Sequence, residues 1–171
     1  MIHNGQEYAE LYRMPEQDDP AGPPDCQDPA RKRVVPRPLL WSQLHDAPGK
    51  AMFDLYRSLA DIRAHHAGLT SPNFHPRFWD ESWGQLDADG FGIDVARQLV
   101  VFHRWGNGAD GRLEKFYVVL NFSPWAQTVE MTFPEDEGWV DLLSGWCPPV
   151  KDHRLRFEVG SNWGHIFYGV R

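Results

Sequence analysis

Residues 95–123, VARQLVVFHRWGNGADGRLEKFYVVLNFS, decide the fold that this sequence predicts. Apolar and aromatic residues dominate Val95–Arg104 and Phe116–Phe122, which is typical of β-strands. Between the two runs lies Gly106–Gly111, where glycine, asparagine and aspartate favour a turn. Two strands joined by so short a connection pair antiparallel. The stretch therefore predicts two strands of an antiparallel sheet.

The same pattern continues to the end of the chain. Short apolar or alternating runs recur about every ten residues, separated by Ser123–Pro124, Pro134–Gly138 and Gly145–Pro149. Such spacing is typical of an antiparallel β-sandwich, and we assign residues 71–171 to that domain. The further strands are predicted at Thr128–Phe133, Trp139–Leu143, Arg154–Val159 and His165–Val170.

In residues 51–66 the apolar residues recur with a different period. The apolar residues recur at spacings of three and four, which predicts one amphipathic helix; they are Phe53, Tyr56, Leu59, Ala60 and Ile62. Asp46 and Pro48 provide start signals, and Gly68 provides a stop signal.

The segment before this helix is rich in proline. Residues 1–50 hold 8 of the 14 prolines, which predicts a long loop after one short strand at Met1–His3. The predicted fold class is therefore mainly β: an antiparallel sandwich preceded by a loop-rich segment and one amphipathic helix.

The amino-acid composition of the chain argues against several classes of protein function. The 171 residues carry 17 Lys and Arg against 24 Asp and Glu, a formal charge of −7, which argues against a nucleic-acid partner. No apolar run is long enough for a membrane span, and Met1–Glu7 lacks the features of a signal peptide. We therefore expect no membrane partner and a cytoplasmic location. Cys26 and Cys147 exclude a disulfide framework and leave a single bridge open.

Four segments resemble, in the right order, the C-terminal end of an enzyme of the α-amylase superfamily of glycoside hydrolases. They are similar to the eighth strand of a (β/α)8 barrel, the segment before its last helix, the eighth helix, and the β-sandwich called domain C. The matching residues are Met1–Glu7, Arg37–Trp41, Leu55–Arg63, and Val118–Ser123 followed by Trp139–Gly145.

The resemblance implies that residues 1–70 are the end of the barrel and that residues 71–171 are domain C. In that family the catalytic carboxylates lie on barrel strands four, five and seven, all before Met1. A retaining glycosidase needs two such groups about 5–5.5 Å apart. The chain would then support the barrel, bind an α-glucan or α-glucoside only through the parent enzyme, and contain no catalytic residue of its own. Its protein partner would be the missing barrel or another copy of the chain.

One motif imitates the family's nucleophile strand, which reads Asp-Gly-Phe-Arg-x-Asp. Residues Asp89–Ala96 match it except that Gly92 replaces the arginine, and Asp94 would be the nucleophile. The motif follows the apparent last barrel helix, so we interpret it as a turn that leads into a sandwich strand.

Substrate-loop contacts are expected at Asn4, Gln6 and Glu7, because substrates bind at the C-terminal ends of barrel strands. The alternative is that these residues are solvated. No cofactor and no metal site is predicted. His3 with Glu7 and His65 with His66 lack a convincing third ligand, and prolines interrupt the acidic loop from Glu16 to Asp28.

Tryptophans supply a second functional hypothesis. The chain has 8 of them, and aromatic faces at loops can stack on sugar rings. The alternative is that they fill the core or cover a contact with another domain. The candidates at or near predicted loops are Trp79, Trp83, Trp105, Trp125 and Trp146. They leave open a free-standing carbohydrate-binding sandwich, and a third alternative is a short interaction protein derived from such an enzyme.

Overall fold

The computed structural model describes residues 41–77 and 84–170. The chain divides into two compact units, Met1–Ala60 and Asp61–Arg171. The predicted strand at Met1–His3 and most of the proline-rich loop lie outside the described residues.

The predicted helix is α1, Ala47–His65, which follows a short 3-10 helix at Trp41–His45. It begins four residues earlier than expected, since Lys50 N already donates to Asp46 O at 2.8 Å. Pro48 lies in the first turn, where its missing N–H costs nothing. Gly68 does not end the helix. It lies beyond it, in a second 3-10 helix at Ala67–Thr70, where its N–H donates to the buried carboxylate of Glu114 at 2.8 Å.

Among the residues that the structure describes after the helix, eight strands are present, all paired antiparallel. They are β1 Phe74–His75, β2 Gly92–Asp94, β3 Leu99–Asn107, β4 Leu113–Asn121, β5 Gln127–Thr132, β6 Val140–Asp141, β7 Arg154–Val159 and β8 Trp163–Val170. The larger sheet has the order β1-β3-β4-β8-β6, with β2 also paired to β3, and the smaller sheet is β5-β7. The strands predicted on either side of Gly106–Gly111 are β3 and β4, which pair with each other inside the larger sheet.

The core of the β unit lies between the two sheets. Alternate residues of β5 and β7 are buried there, such as Val129, Met131 and Leu155, and they pack with the inward side chains of the larger sheet. The residues between them on the small sheet are exposed, as the period of two requires. The predicted antiparallel two-sheet architecture is therefore confirmed.

The strand bounds differ from expectation where a turn interrupts an apolar run. The predicted strand at Val95 begins instead at Leu99, because Val95–Gln98 forms the β2–β3 turn and Gln98 has φ 56°. The predicted strand Trp139–Leu143 contains only two paired residues, Val140 and Asp141, because the chain turns immediately after them. The bounds predicted for β7 are those observed.

Candidate functional site

Asn121, the last residue of β4, organises one end of the sandwich. Its buried amide nitrogen donates to Trp125 O at 2.7 Å and to Gly160 O at 2.9 Å. Its amide oxygen accepts from Ser123 N at 2.9 Å and from Ser123 Oγ at 2.8 Å. A buried amide with all these bonds formed holds its neighbours in one arrangement. Asn121 thus joins the β4–β5 loop to the β7–β8 turn.

Backbone hydrogen bonds extend this connection to a third loop. Phe122 N donates to Gln98 O at 2.9 Å in the β2–β3 turn. Asn162 N donates to Ser123 O at 3.1 Å. The three loops therefore lie together at one end of the two sheets.

Three large aromatic side chains are exposed on these loops. The exposed fraction is 73% for Trp125, 61% for Phe122 and 45% for Trp163. We call this set the loop-end aromatic surface. Open indole and phenyl faces can stack on the apolar faces of sugar rings, or pack against another protein surface. It is the strongest candidate for a binding surface within the part of the chain that the structure describes.

The predicted stacking residues have different surroundings. Trp125 belongs to the exposed set. Trp105 is half-buried and stacks on His103 with ring centroids 5.0 Å apart. Trp146 packs against Phe157 and Phe167, each at 5.9 Å, and stays partly exposed. The remaining predicted site residues, Trp79, Trp83, Asn4, Gln6 and Glu7, lie outside the described residues.

The sequence pattern does not single out Phe122 or Trp163 as exposed. Phe122 ends an apolar run that predicts a strand, and Trp163 starts a strand just after a turn. The available signal was their position beside turn residues, Ser123–Pro124 and Ser161–Asn162, because side chains at strand ends often lack a covering sheet.

Asp141 holds the turn that carries Trp146. Its fully buried carboxylate accepts hydrogen bonds from His165 Nδ1 at 3.0 Å, Ser144 Oγ at 2.5 Å and Ile166 N at 3.0 Å. Burial by itself would raise the pKa of Asp141, but these bonds and one from Leu143 N lower that pKa to about 2. In a Ser-His-Asp triad the histidine lies between serine and carboxylate, whereas here the carboxylate lies between them. These hydrogen bonds therefore hold the turn in place, and they do not activate Ser144 as a nucleophile.

His103 lies in a group of aromatic rings on the larger sheet. Its ring is nearly parallel to that of Tyr117, at 9° and 5.0 Å, and Trp105 also stacks on it at 5.0 Å. Burial, with smaller contributions from His75 and Lys115, lowers the pKa of His103 to about 4. Burial likewise raises the pKa of Tyr117 to about 12. Both rings are therefore neutral at pH 7.

We expect the free energy of unfolding to fall as the pH drops from 6.5 to 4. The pKa of His103 is about 4 when folded and 6.5 when unfolded, so the unfolded chain gains the proton first. The loss from this residue should be about 2 kcal/mol after discounting for its partial exposure. Urea denaturation across this range measures it. His103→Phe should flatten that part of the profile and His65→Gln, on an exposed helix face, should not; equal profiles for both variants would contradict the assignment.

The motif that imitates a nucleophile strand has a structural role. Residues Gly92–Asp94 form β2, as a turn leading into a strand requires. Asp94 Oδ1 accepts from Arg97 N at 3.0 Å and closes the β2–β3 turn. Gly92 has φ 126°, a backbone conformation that an arginine would adopt only with strain. The sequence interpretation of this motif as a turn therefore agrees with the structure.

The histidines considered as metal ligands have other partners. His65 Nδ1 donates to Asp61 O at 2.8 Å, whereas His66 Nδ1 lies 2.9 Å from Glu114 Oε1. Within residues 41–77 and 84–170, no three His, Cys, Asp or Glu side chains form a group able to hold a metal ion. His3, Glu7 and the acidic loop lie outside these ranges. Cys147 is an exposed free thiol, and Cys26 is also outside the described residues.

Over the same described ranges, none of the helices combines the length and the apolar character that crossing a bilayer requires.

Comparisons with known proteins give a structural likeness and no match at the level of sequence. No family model matches the sequence, and no curated protein matches it at a significant level. Among solved structures, an alpha-amylase from Anoxybacillus, which provides insights into a new glycosyl hydrolase subclass, is similar to 83% of this chain with 18% identity and a TM-score of 0.49. The matched region is 25% of that amylase, so the chain spans about a quarter of its length. A likeness of this extent assigns neither a family nor an activity.

Proposed function

We propose that the chain is the C-terminal part of an α-amylase-like glycoside hydrolase or glucosyltransferase that acts on α-glucans or α-glucosides. Residues 1–70 would complete the last βα unit of a (β/α)8 barrel, and residues 71–171 would be its domain C. The chain supports the catalytic barrel and is not catalytic alone.

The order of elements carries this proposal. Helix α1 contains the Leu55–Arg63 segment, and an antiparallel two-sheet unit follows it. That unit contains Val118–Ser123 and Trp139–Gly145, which are the segments that resemble domain C. Each includes a buried polar residue, Asn121 or Asp141, that holds the next turn. Both segments therefore stabilise turns of the sandwich, which agrees with the role of a supporting domain.

The surface of α1 agrees with a missing partner. Gly49 is the only buried residue of this helix, and the side chains of its apolar stripe remain partly accessible. Phe53 and Leu59 are each more than one-third exposed. Amphipathic helices obtain most of their stability from packing that stripe against another surface. In the proposed parent enzyme that surface is the barrel, and for the chain alone a second copy would serve.

The upstream reading frame tests this proposal directly. We expect the codons before Met1 to continue in frame and to encode the missing βα units with their catalytic carboxylates. The isolated chain should then release no sugar from starch, sucrose or trehalose. An in-frame stop codon directly before Met1, or activity of the isolated chain on any of these substrates, would contradict the proposal.

The second candidate function is a free-standing carbohydrate-binding module, which the exposure of Trp125 favours. Stacking of a sugar on its indole would change the tryptophan emission during a titration with maltooligosaccharides. The leading proposal expects little response, because the aromatic surface would serve as a protein contact. A saturable shift that disappears in Trp125→Ala and persists in Trp41→Phe, an exposed tryptophan outside this surface, would favour the binding module instead.

A further inference from the structure

A charged cleft lies on the exposed face of the small β5–β7 sheet. Its volume is about 420 Å³, within the range of about 300–1,000 Å³ that is typical of small-molecule sites. Its walls come from the turn before β2, the β2–β3 turn and the two strands of the sheet. The charged residues that line it are three arginines, Arg97, Arg154 and Arg156, and two acids, Asp87 and Glu130.

Strand register leaves one of these arginines without an acid. Glu130 on β5 lies directly opposite Arg156 on β7, where a cross-strand ion pair would be expected. Instead, the Glu130 carboxylate accepts from Arg154 Nη1 at 3.0 Å, and Arg154 lies two residues from Arg156 on the same strand. In the part of the chain that the structure describes, the exposed side chain of Arg156 has no ion pair and no hydrogen bond. Its guanidinium is therefore available to a ligand.

Arg97 is held in place at the opposite wall. Its Nη2 donates to Thr128 O at the open edge of β5, and its Nη1 lies 3.8 Å from Asp94 Oδ2. The neighbouring turn lies along the same edge, because Thr132 N donates to Asp89 O at 2.9 Å. A guanidinium fixed in this way loses little side-chain entropy when a ligand binds.

We propose that this cleft binds a phosphate group, either free phosphate or the phosphate of a phosphorylated sugar. Arg156 makes the principal contact, and Arg97 and Arg154 add positive charge from the two sides. The planar guanidinium fork matches two phosphate oxygens, and a dianion gains more than a monoanion from three cations facing two acids. This site is separate from the loop-end aromatic surface and does not depend on the function proposed above.

The proposal is tested on the whole chain by ¹H–¹⁵N NMR titration at pH 7.5 and a fixed salt concentration. Three probes are compared: glucose 1-phosphate, inorganic phosphate and glucose. We expect saturable shifts around the cleft with both phosphates, with a Kd on the order of 1 mM, and none with glucose. Equal affinity for the two phosphates identifies the phosphate itself as the ligand, and tighter binding of glucose 1-phosphate identifies a sugar phosphate. Shifts that grow linearly without saturation would overturn the proposal.

Matched variants separate a defined site from general attraction of anions. Arg156→Ala should weaken phosphate binding by about fivefold or more, and Arg156→Lys should restore part of it because the charge returns without the fork. Arg112→Ala removes the same charge from an exposed arginine that already pairs with Asp110 at 2.6 Å, and should leave binding unchanged. Equal weakening by Arg112→Ala and Arg156→Ala would also overturn the proposal, since diffuse charge would then explain binding.

Discussion

Replacing Asp141 by asparagine is expected to lower the free energy of unfolding by about 2–4 kcal/mol. The carboxylate offers acceptors to His165, Ser144, Leu143 and Ile166, whereas an amide has a single acceptor oxygen and places an NH2 group against donors. At least one buried donor is then left without a partner. Chemical denaturation at pH 7 measures the loss.

The pH profile of the same variant provides a second readout. The pKa of Asp141 is lower in the folded chain, about 2, than the ordinary value of 3.8. Its stabilisation is therefore complete above pH 4 and is lost as the pH falls towards 2. Asp141→Asn should lack this acid-dependent component. Asp110→Asn, at an exposed carboxylate paired with Arg112, should leave the free energy of unfolding nearly unchanged. An Asp141→Asn cost as small as that of Asp110→Asn would show that the buried bonds do not hold the turn.

Gly90→Ala is expected to cost about 4 kcal/mol or more, enough to unfold a marginally stable domain. A Cβ at this position would lie 2.2 Å from Glu130 O and 2.7 Å from Met131 Cα, and both of these atoms belong to the backbone of β5. Gly90 also has φ 88°, which side chains disfavour. The turn would have to leave the sheet edge, and it would carry the buried ring of Phe91 with it.

Gly111→Ala is the matched control for this prediction. Gly111 has a similar φ of 80°, but a Cβ there would meet nothing within 4 Å. Gly111→Ala should lower the free energy of unfolding only because alanine disfavours this backbone conformation, by about 1–2 kcal/mol. The difference between the two variants, measured by thermal or urea unfolding, isolates the steric contact of Gly90 with β5. If both variants lose the same stability, that contact does not matter.

The two-sheet architecture was predictable because its signals are local. On β7, Leu155, Phe157 and Val159 alternate with charged residues, so the period of two alone defines both ends of the strand. The predicted start of β3 failed because Val95 is apolar but lies in a turn, with its side chain more than half exposed. Hydrophobicity along the chain does not reveal that the carboxylate of Asp94 closes that turn.

The exposure of the aromatic side chains was likewise only partly predictable from the local sequence. Trp125 follows Pro124 in a predicted loop, a position that leaves both exposure and burial open, and its side chain is exposed. Trp146 also follows turn residues, yet it packs on Phe157 and Phe167, because β7 and β8 bring those rings beneath it. Phe122 belongs to a predicted strand, and its side chain is exposed. Whether an aromatic residue near a strand end is covered depends on the neighbouring strands, which the local pattern does not contain.

The sequence by itself determined the amphipathic helix, the succession of antiparallel strands and the negative net charge. These properties depend on residues a few positions apart, where periodicity, turn chemistry and charge act directly. Only the tertiary structure decided that Asn121 and Asp141 lock turns, that Phe122, Trp125 and Trp163 lie on connected loops, and that Arg156 lost its cross-strand acid to Arg154. Such relations follow from strand register and sheet packing, which join residues far apart in the chain.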